Sequence, residues 1–370
     1  MVDLVLVNPN NRIPAPFASL EPPLWLGLIA GYRLTLGQSV AIVDAEAEGL
    51  TIEQTVARIA SYRPEETIIV VMGNNPSVSS TPKMPVAEEL LKHIPAKLTG
   101  LHPTAMNFPN TIVRPFEGFP SVPWDLLPMS KYKAHNWHCL VDIDKRSPYA
   151  VLYTSLNCPF DCFYCNVHTL YGDRIMRYRP MEDIFKELIL FAKSGIKTIK
   201  IWDELFCLDR YRVERICDFI VSEGFDFNIW AYARLNTILP KMLVKMKQAG
   251  INWVAYGFES VNDKKSEVAR RAIDMTRDAG INIIANFMFG LPGETLCDMQ
   301  DSLDMAIQEN FEYVNFYVAL PYPGSLWYAS FPLGKDKPSD WSNFSQFSPN
   351  ICASPEVVKF KDKAFQTYFS

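Results

Sequence analysis

The feature that most constrains this chain is a rhythm in which short, solidly apolar stretches alternate with helical ones, twice over, along 370 residues. In the first series, residues 2–8 (VDLVLVN), 39–44 (SVAIVD) and 67–72 (TIIVVM) read as strands. The helices between them are residues 22–36, 51–62 and 82–93. The first opens on two prolines, which suit a first helical turn, and meets Gly37 as its stop. The second has Thr51 as N-cap and Gln54 three residues on. Strands that are apolar on both sides need helices on both faces, so the pattern specifies a parallel, doubly wound sheet over residues 1–105. Ligands of such sheets bind at the carboxyl ends of the strands, where Asn8, Pro9, Gly73 and Asn74 fall.

Residues 106–149 lose the rhythm. They are rich in proline and aromatics, including Pro120, Pro123, Trp124, Pro128, Tyr132 and Trp137. Those rings need burial, so the segment reads as an ordered linker lying across a surface. The second series supplies strands at 150–156, 197–202, 227–232, 251–257, 281–289 and 312–319. Helices at 180–194, 209–223, 238–249, 265–279 and 296–309 separate them. A full eight-fold barrel would need two more units, so the expectation is an α/β fold whose second part, residues 150–328, is a partial (β/α)6 barrel. A C-terminal extension, 329–370, follows. Asp203, Glu204, Arg234, Glu259, Ser260 and Glu294 gather at strand ends, the rim where βα barrels place their chemistry.

Composition narrows the function. At 48% hydrophobic and 21% charged residues the chain is an ordinary globular protein. Its net charge of −5 makes a nucleic-acid partner a poor fit. No apolar run reaches membrane-spanning length, and the N-terminus lacks the basic region and cleavage site of a signal peptide. A cytoplasmic protein is the expectation. Eight cysteines are far too few for a disulfide scaffold of this size.

Three of those cysteines stand together in Asn157-Cys158-Pro159-Phe160-Asp161-Cys162-Phe163-Tyr164-Cys165, a C-x3-C-x2-C spacing directly after the first barrel strand. Three thiolates suit a [4Fe–4S] cluster with one iron left for another ligand. Structural zinc prefers four closed ligands, and His168 stands as a possible fourth. Chance clustering at this composition is rare, at roughly 0.004 occurrences per chain.

The motif, its aromatic before the last cysteine and its place in a six-fold barrel resemble the radical S-adenosylmethionine (SAM) superfamily. The resemblance implies that Cys158, Cys162 and Cys165 hold three irons, with SAM chelating the fourth. One-electron reduction, by a donor such as flavodoxin or ferredoxin, would then yield a 5′-deoxyadenosyl radical. Tyr164 accompanies the cluster. Ile201-Trp202-Asp203-Glu204 stands where the superfamily binds the SAM amino group, though it departs from the common Gly-Gly-Glu. Trp230-Ala231-Tyr232-Ala233-Arg234 resembles a third-strand segment whose guanidinium can pair with the SAM carboxylate. Tyr256-Gly257-Phe258-Glu259-Ser260 resembles a ribose-facing segment, and Phe289-Gly290-Leu291-Pro292-Gly293-Glu294 one that approaches adenine.

The first domain resembles the cobalamin-binding domain of cobalamin-dependent radical SAM enzymes. The resemblance is carried by Pro22-Pro23-Leu24-Trp25-Leu26-Gly27, Val43-Asp44, Gly73-Asn74-Asn75-Pro76-Ser77, Ser80-Thr81 and Gly100-Leu101-His102-Pro103-Thr104. Pro321-Tyr322-Pro323-Gly324-Ser325 adds to it. No Asp-x-His-x-x-Gly is present, so the resemblance implies cobalamin whose cobalt is not ligated by histidine. Ser77, Ser80 and Thr81 would line its tail or edge. After Ala105 the family carries another strand and helix, whereas this chain runs straight into Met106-Asn107-Phe108-Pro109. A shorter gap falls near Asp263–Ser266. Either these stretches are deleted or they lie outside these residues. The second is the expectation, because a sheet lacking an internal strand would show a bare edge.

The activity implied is methyl transfer from methylcobalamin to an unactivated carbon of a small molecule or peptide. The alternatives are a cobalamin-dependent cyclase or rearrangement enzyme without net methylation, and a non-catalytic cofactor-binding protein.

Overall fold

The computed structural model describes residues 1–12, 18–73, 79–260, 263–330, 340–344 and 353–370. Strands β1 (Val2–Asn8), β2 (Val40–Asp44), β3 (Pro64–Val71) and β4 (Lys97–Gly100) form a parallel sheet in the order β2-β1-β3-β4. Alternate residues serve opposite faces. Leu4, Leu6, Ile68 and Val70 pack with helix α1 (Leu24–Thr35), while Val5, Val7, Ile69 and Val71 pack with α2 (Ile52–Tyr62) and α3 (Lys83–Leu91). The sheet is therefore doubly wound, and the Thr51–Gln54 capping box forms as the sequence leads one to expect.

Strand β4 was invisible in the sequence because only Leu98 gives it an apolar signal. It ends on Gly100, whose φ is +114° and where a Cβ would sit 2.1 Å from the Val71 carbonyl oxygen. The short helix α4 (Leu101–Ala105) follows it. The edge of β4 is not bare even without a further strand and helix. Leu98 N–H donates to the Asn110 carbonyl at 3.2 Å, and Ile112 N–H donates to the Leu98 carbonyl at 2.8 Å. Residues 110–112 thus take up the edge that a further strand would cover.

The linker does more than lie across a surface. It crosses α1 so closely that a Cβ on Gly31 would be 1.9 Å from the Ser121 carbonyl oxygen. Tyr132 donates its hydroxyl to Asp44 at 2.6 Å, and Trp124 donates its indole N–H to Glu187 of the barrel at 2.8 Å. Trp137 then wedges into one end of the barrel, its ring 5.3–5.8 Å from those of Trp253, Trp230 and Tyr313.

The second sheet is an open, six-stranded parallel arc in chain order: β5 (Tyr149–Leu152), β6 (Thr198–Ile201), β7 (Asn228–Ala233), β8 (Ile251–Glu259), β9 (Asn282–Phe289) and β10 (Tyr313–Val318). Helices α5 (Met181–Lys193), α6 (Arg210–Ser222), α7 (Pro240–Gln248), α8 (Asp263–Asp278) and α9 (Leu296–Glu309) connect them. The stretch expected as one strand at 150–156 is divided. After β5 ends, Ser155–Leu156 pairs antiparallel with Arg177–Tyr178. Outward residues such as Ile229, Val254, Ile283 and Phe287 form the core under the helices. Helix α10 (Leu326–Ser330) follows β10, and α11 (Pro355–Tyr368) lies against it, with the Tyr368 hydroxyl donating to the Phe311 carbonyl at 2.6 Å. Trp341 and Phe344 pack into the first sheet's core. Among the described residues, no helix is long and apolar enough to cross a membrane.

Candidate functional site

The cysteine loop is fixed at its start by Asn157, whose φ of +77° is rare for a side-chain-bearing residue. Its amide nitrogen donates to the Asp173 backbone and side chain at 2.8 and 3.0 Å, and its Oδ1 accepts the Cys158 N–H at 2.8 Å. His168 bolts the same loop. Nδ1 contacts Asn157 Oδ1 at 3.2 Å and Nε2 contacts the Phe160 carbonyl at 2.8 Å. Both ring nitrogens are engaged, which removes His168 as a fourth metal ligand. Among the described residues, no three Cys, His, Asp or Glu side chains are gathered tightly enough for a single ion. The three thiols line one cavity at wider separation, a donor set that fits a cluster better than one zinc.

Burial pushes the Cys165 thiol up to about 12 and that of Cys158 upward as well. Thiolates in this pocket need a cationic partner, and cluster irons provide one. Arg234, at the end of β7, lies flat on Phe160 at 4.1 Å and donates through Nη1 to Cys162 Sγ at 3.3 Å. Its buried Nε has no hydrogen-bond partner among the described residues. A guanidinium with an open N–H beside three thiols is suited to a carboxylate ligand, so the residues fit cluster and SAM together.

Asp203 and Glu204, paired in the sequence, part company in space. Asp203 is fully buried and accepts from Thr154 N–H, Thr154 Oγ1 and Ser155 Oγ, each at 2.6 Å. It ties β6 to the chain leaving β5 and does not reach the cavity. Glu204 does line the cavity. It accepts from the Tyr171 hydroxyl at 3.0 Å and the Asn157 N–H at 3.1 Å, and burial raises its carboxyl to about 7. Tyr164, also on the cavity, hydrogen-bonds Glu259 and Cys162. Glu259 has φ +61° at a register shift in β8, and its carboxylate curls over Gly257, where a Cβ would meet it at 2.4 Å. Strain at such a point is common at functional sites. Glu294 accepts the Gly290 and Leu291 N–H groups at 2.7 and 3.1 Å, closing the turn after β9. Gly290, Glu294 and Ser260 all lie off the cavity.

The cavity, about 1050 Å³, continues from the cysteines to the carboxyl edge of the first sheet, where Asn10, Glu46, Gly73, Ser79, Pro82 and Lys83 line it. Of the residues expected at a cobalamin face, Gly73 alone among those described is on this surface. Asn74 and Ser77 lie outside the described residues. Asn8 is buried in a polar knot with Asp44, Glu46 and Lys83, and Pro9 is buried beside it. Leu24 and Trp25 pack in the core, Trp25 4.8 Å from Phe116. Ser80 accepts the Gly73 N–H at 3.0 Å. Thr81 is hydrogen-bonded to His102 Nε2 at 3.0 Å, and His102 is fully buried between Tyr322 and Trp341. Gly100, Pro103 and Thr104 are buried around it. These residues build the wall. His102 is sealed inside that wall.

Sequence reasoning missed several cavity residues. Lys83 is buried, with its ammonium 2.5 Å from Asn8 Oδ1 and 2.7 Å from Glu46. Lys200 of β6 and Glu21, both 2% exposed, form an ion pair at 2.9 Å. Asn286 and Asn315 project inward from β9 and β10. The available signal was a polar residue at an inward register position of an otherwise apolar strand.

Residues 152–306 match the radical SAM superfamily, so the barrel is a radical SAM domain, and a doubly wound domain stands ahead of it. It is similar to an uncharacterised methyltransferase of Pyrococcus horikoshii, 26% identical over 433 aligned positions that cover 99% of this chain and 92% of the relative. That alignment is longer than the chain, so it contains gaps here. A bacteriochlorophyllide d C-8(2)-methyltransferase of Chlorobaculum tepidum is 23% identical, covering 59% of this chain and 52% of its own. The fold is shared with the radical SAM methyltransferase TsrM of Kitasatospora setae, solved with cobalamin and a [4Fe–4S] cluster. The TM-score is 0.68 at 15% identity, covering 88% of this chain and 77% of that one.

Proposed function

We propose that this protein is a cobalamin-dependent radical SAM methyltransferase acting on a small molecule or peptide in a reducing cytoplasm. Residues 1–105 would be its cobalamin-binding domain, 106–149 an ordered linker, 150–328 its radical SAM barrel and 329–370 a C-terminal extension. The observation that carries the reading is the single cavity joining Cys158, Cys162, Cys165, Glu204 and Arg234 to the strand-end wall at Gly73, Ser79, Pro82 and Lys83. When bound, the cluster with SAM supplies a 5′-deoxyadenosyl radical and cobalamin supplies the methyl group.

The chain's own part is placement. Cys158, Cys162 and Cys165 grip the cluster, and Asn157 and His168 hold their loop in shape. Arg234 would offer its Nε–H to a carboxylate, and Glu204, kept in place by Tyr171, would accept from an amino group. Gly73 lets Ser79 pack directly on the strand end, since a Cβ there would sit 2.2 Å from the Ser79 Cβ. Enclosure between the two sheets excludes water from the reacting centre.

The test is anaerobic reconstitution with iron, sulfide and a cobalamin, then reaction with SAM and a strong reductant. About four irons per chain, lost on substituting any of the three cysteines, are expected. So are 5′-deoxyadenosine release and a product heavier by about 14 Da. Bound zinc, or absence of iron, defeats the reading. Turnover of substrate without that mass gain favours the cyclase alternative.

A further inference from the structure

We propose that the barrel lumen beneath the three cysteines is a substrate subsite for an uncharged, planar ring bearing an N–H donor. This deepens the methyltransferase reading and rests on it. Two asparagines on the lumen have orientations fixed by their partners. Asn286 contacts the backbone carbonyl of Tyr256 at 3.0 Å. A carbonyl can only accept, so the Asn286 nitrogen must point that way and its Oδ1 must point toward β10. Asn315 meets that Oδ1 at 3.0 Å, so it too must present its nitrogen. The ladder leaves Asn315 Oδ1 as its last acceptor, on the cavity, with no hydrogen-bond partner among the described residues.

Register puts Asn286 opposite Asn315, and Gly257 opposite Asn286 on the other side. The open acceptor therefore faces a lumen where the neighbouring β8 positions, Ala255 and Gly257, are small and leave room for a ligand. Two further polar atoms open onto the same cavity. The hydroxyls of Tyr232 and Tyr317 line it and have no hydrogen-bond partner among the described residues. Each can donate to an acceptor on the ligand. With Trp230 they also provide flat ring faces for stacking. Beside these groups Lys200 is paired with Glu21 at 2.9 Å, so that pair offers a ligand no net charge. A charged ligand would have to break that pair or remain uncompensated. A neutral ring with an N–H for Asn315 and an acceptor for the tyrosines satisfies these three groups.

The test uses 2-quinolinone and its 1-methyl derivative, which differ in the N–H, in equilibrium dialysis against the reconstituted holoenzyme. About tenfold weaker binding of the methylated probe is expected, the effect of leaving a half-buried acceptor unpaired. Asn315→Leu should erase that preference. Ala255→Phe, which fills the lumen, should lose both probes while keeping the cluster's visible absorption. Equal binding of the two probes, no binding of either, or a preference surviving in Asn315→Leu overturns the assignment. Reductive SAM cleavage without substrate is measured on the same samples. If cleavage persists and the preference is missing, only the lumen assignment fails. If the preference stands and cleavage is absent, the radical reading fails instead.

Discussion

Glu21→Gln should destabilise the protein far more than its single lost charge suggests. Glu21 precedes α1 and Lys200 lies on β6, so the pair ties the first domain's leading segment to the barrel, with both side chains 2% exposed and 2.9 Å apart. At that separation and an effective dielectric of about 20, the attraction is about 6 kcal/mol. Desolvating the two ions costs several kcal/mol each, so the intact pair is near neutral on balance. Removing one partner keeps the cost of the other, and the expected loss is about 3–5 kcal/mol. The lower end applies here, because the Lys200 ammonium also sits 4.9 Å from the centre of the Trp230 ring. For a chain of this length, about 3 kcal/mol corresponds to a melting shift of about 4 °C. Urea unfolding of Glu21→Gln, Lys200→Met and Glu21→Leu/Lys200→Met forms a double-mutant cycle. The double variant should recover most of the loss, with a coupling of at least about 2 kcal/mol. Strict additivity, or a single-variant loss below about 1 kcal/mol, would refute the reasoning.

Three other outcomes are expected. Gly100→Ala should cost at least about 2 kcal/mol in urea unfolding, because it combines a positive φ with a Cβ 2.1 Å from a backbone oxygen. Burial lifts the Glu204 carboxyl from 4.5 to about 7. The folded state therefore holds that proton more tightly than the unfolded chain. Stability without cofactors should be fullest below pH 4.5 for this group and should fall by roughly 3 kcal/mol as pH rises through about 7. Glu204→Gln should flatten that dependence in unfolding measured across this window. Trp137→Ala removes a ring packed among Trp230, Trp253 and Tyr313; a loss of about 3–5 kcal/mol is expected, read by thermal unfolding.

Much of this architecture was legible because buried parallel strands are written as unbroken apolar runs. β1, β3 and β9 are examples, and the helices between them carry their own caps. β4 and the Ser155–Leu156 pair were not legible, since neither is long or apolar enough to stand out locally. They exist because neighbouring strands offer them partners. At the site, the cysteine spacing, Glu204 and Arg234 could be read because a local motif fixes them. Asp203 and Glu294 could not be separated from true cavity residues, because a carboxylate at a strand end has the same signature whether it faces a ligand or closes a turn. The Asn286–Asn315 ladder depends on register between strands, and the Lys200–Glu21 pair joins residues 179 apart. Neither leaves a trace in any short window.

Trp137 gives the barrel the shape of a well with a floor. With that end plugged by Trp137 among Trp230, Trp253 and Tyr313, a molecule at the bottom of the well lies beneath whatever the cysteine rim holds. Whatever settles deepest has to arrive before the mouth is filled from above, and it departs only after that upper occupant has moved. Turnover is then a queue, last in and first out, so an excess of the upper occupant should slow catalysis by trapping the well empty.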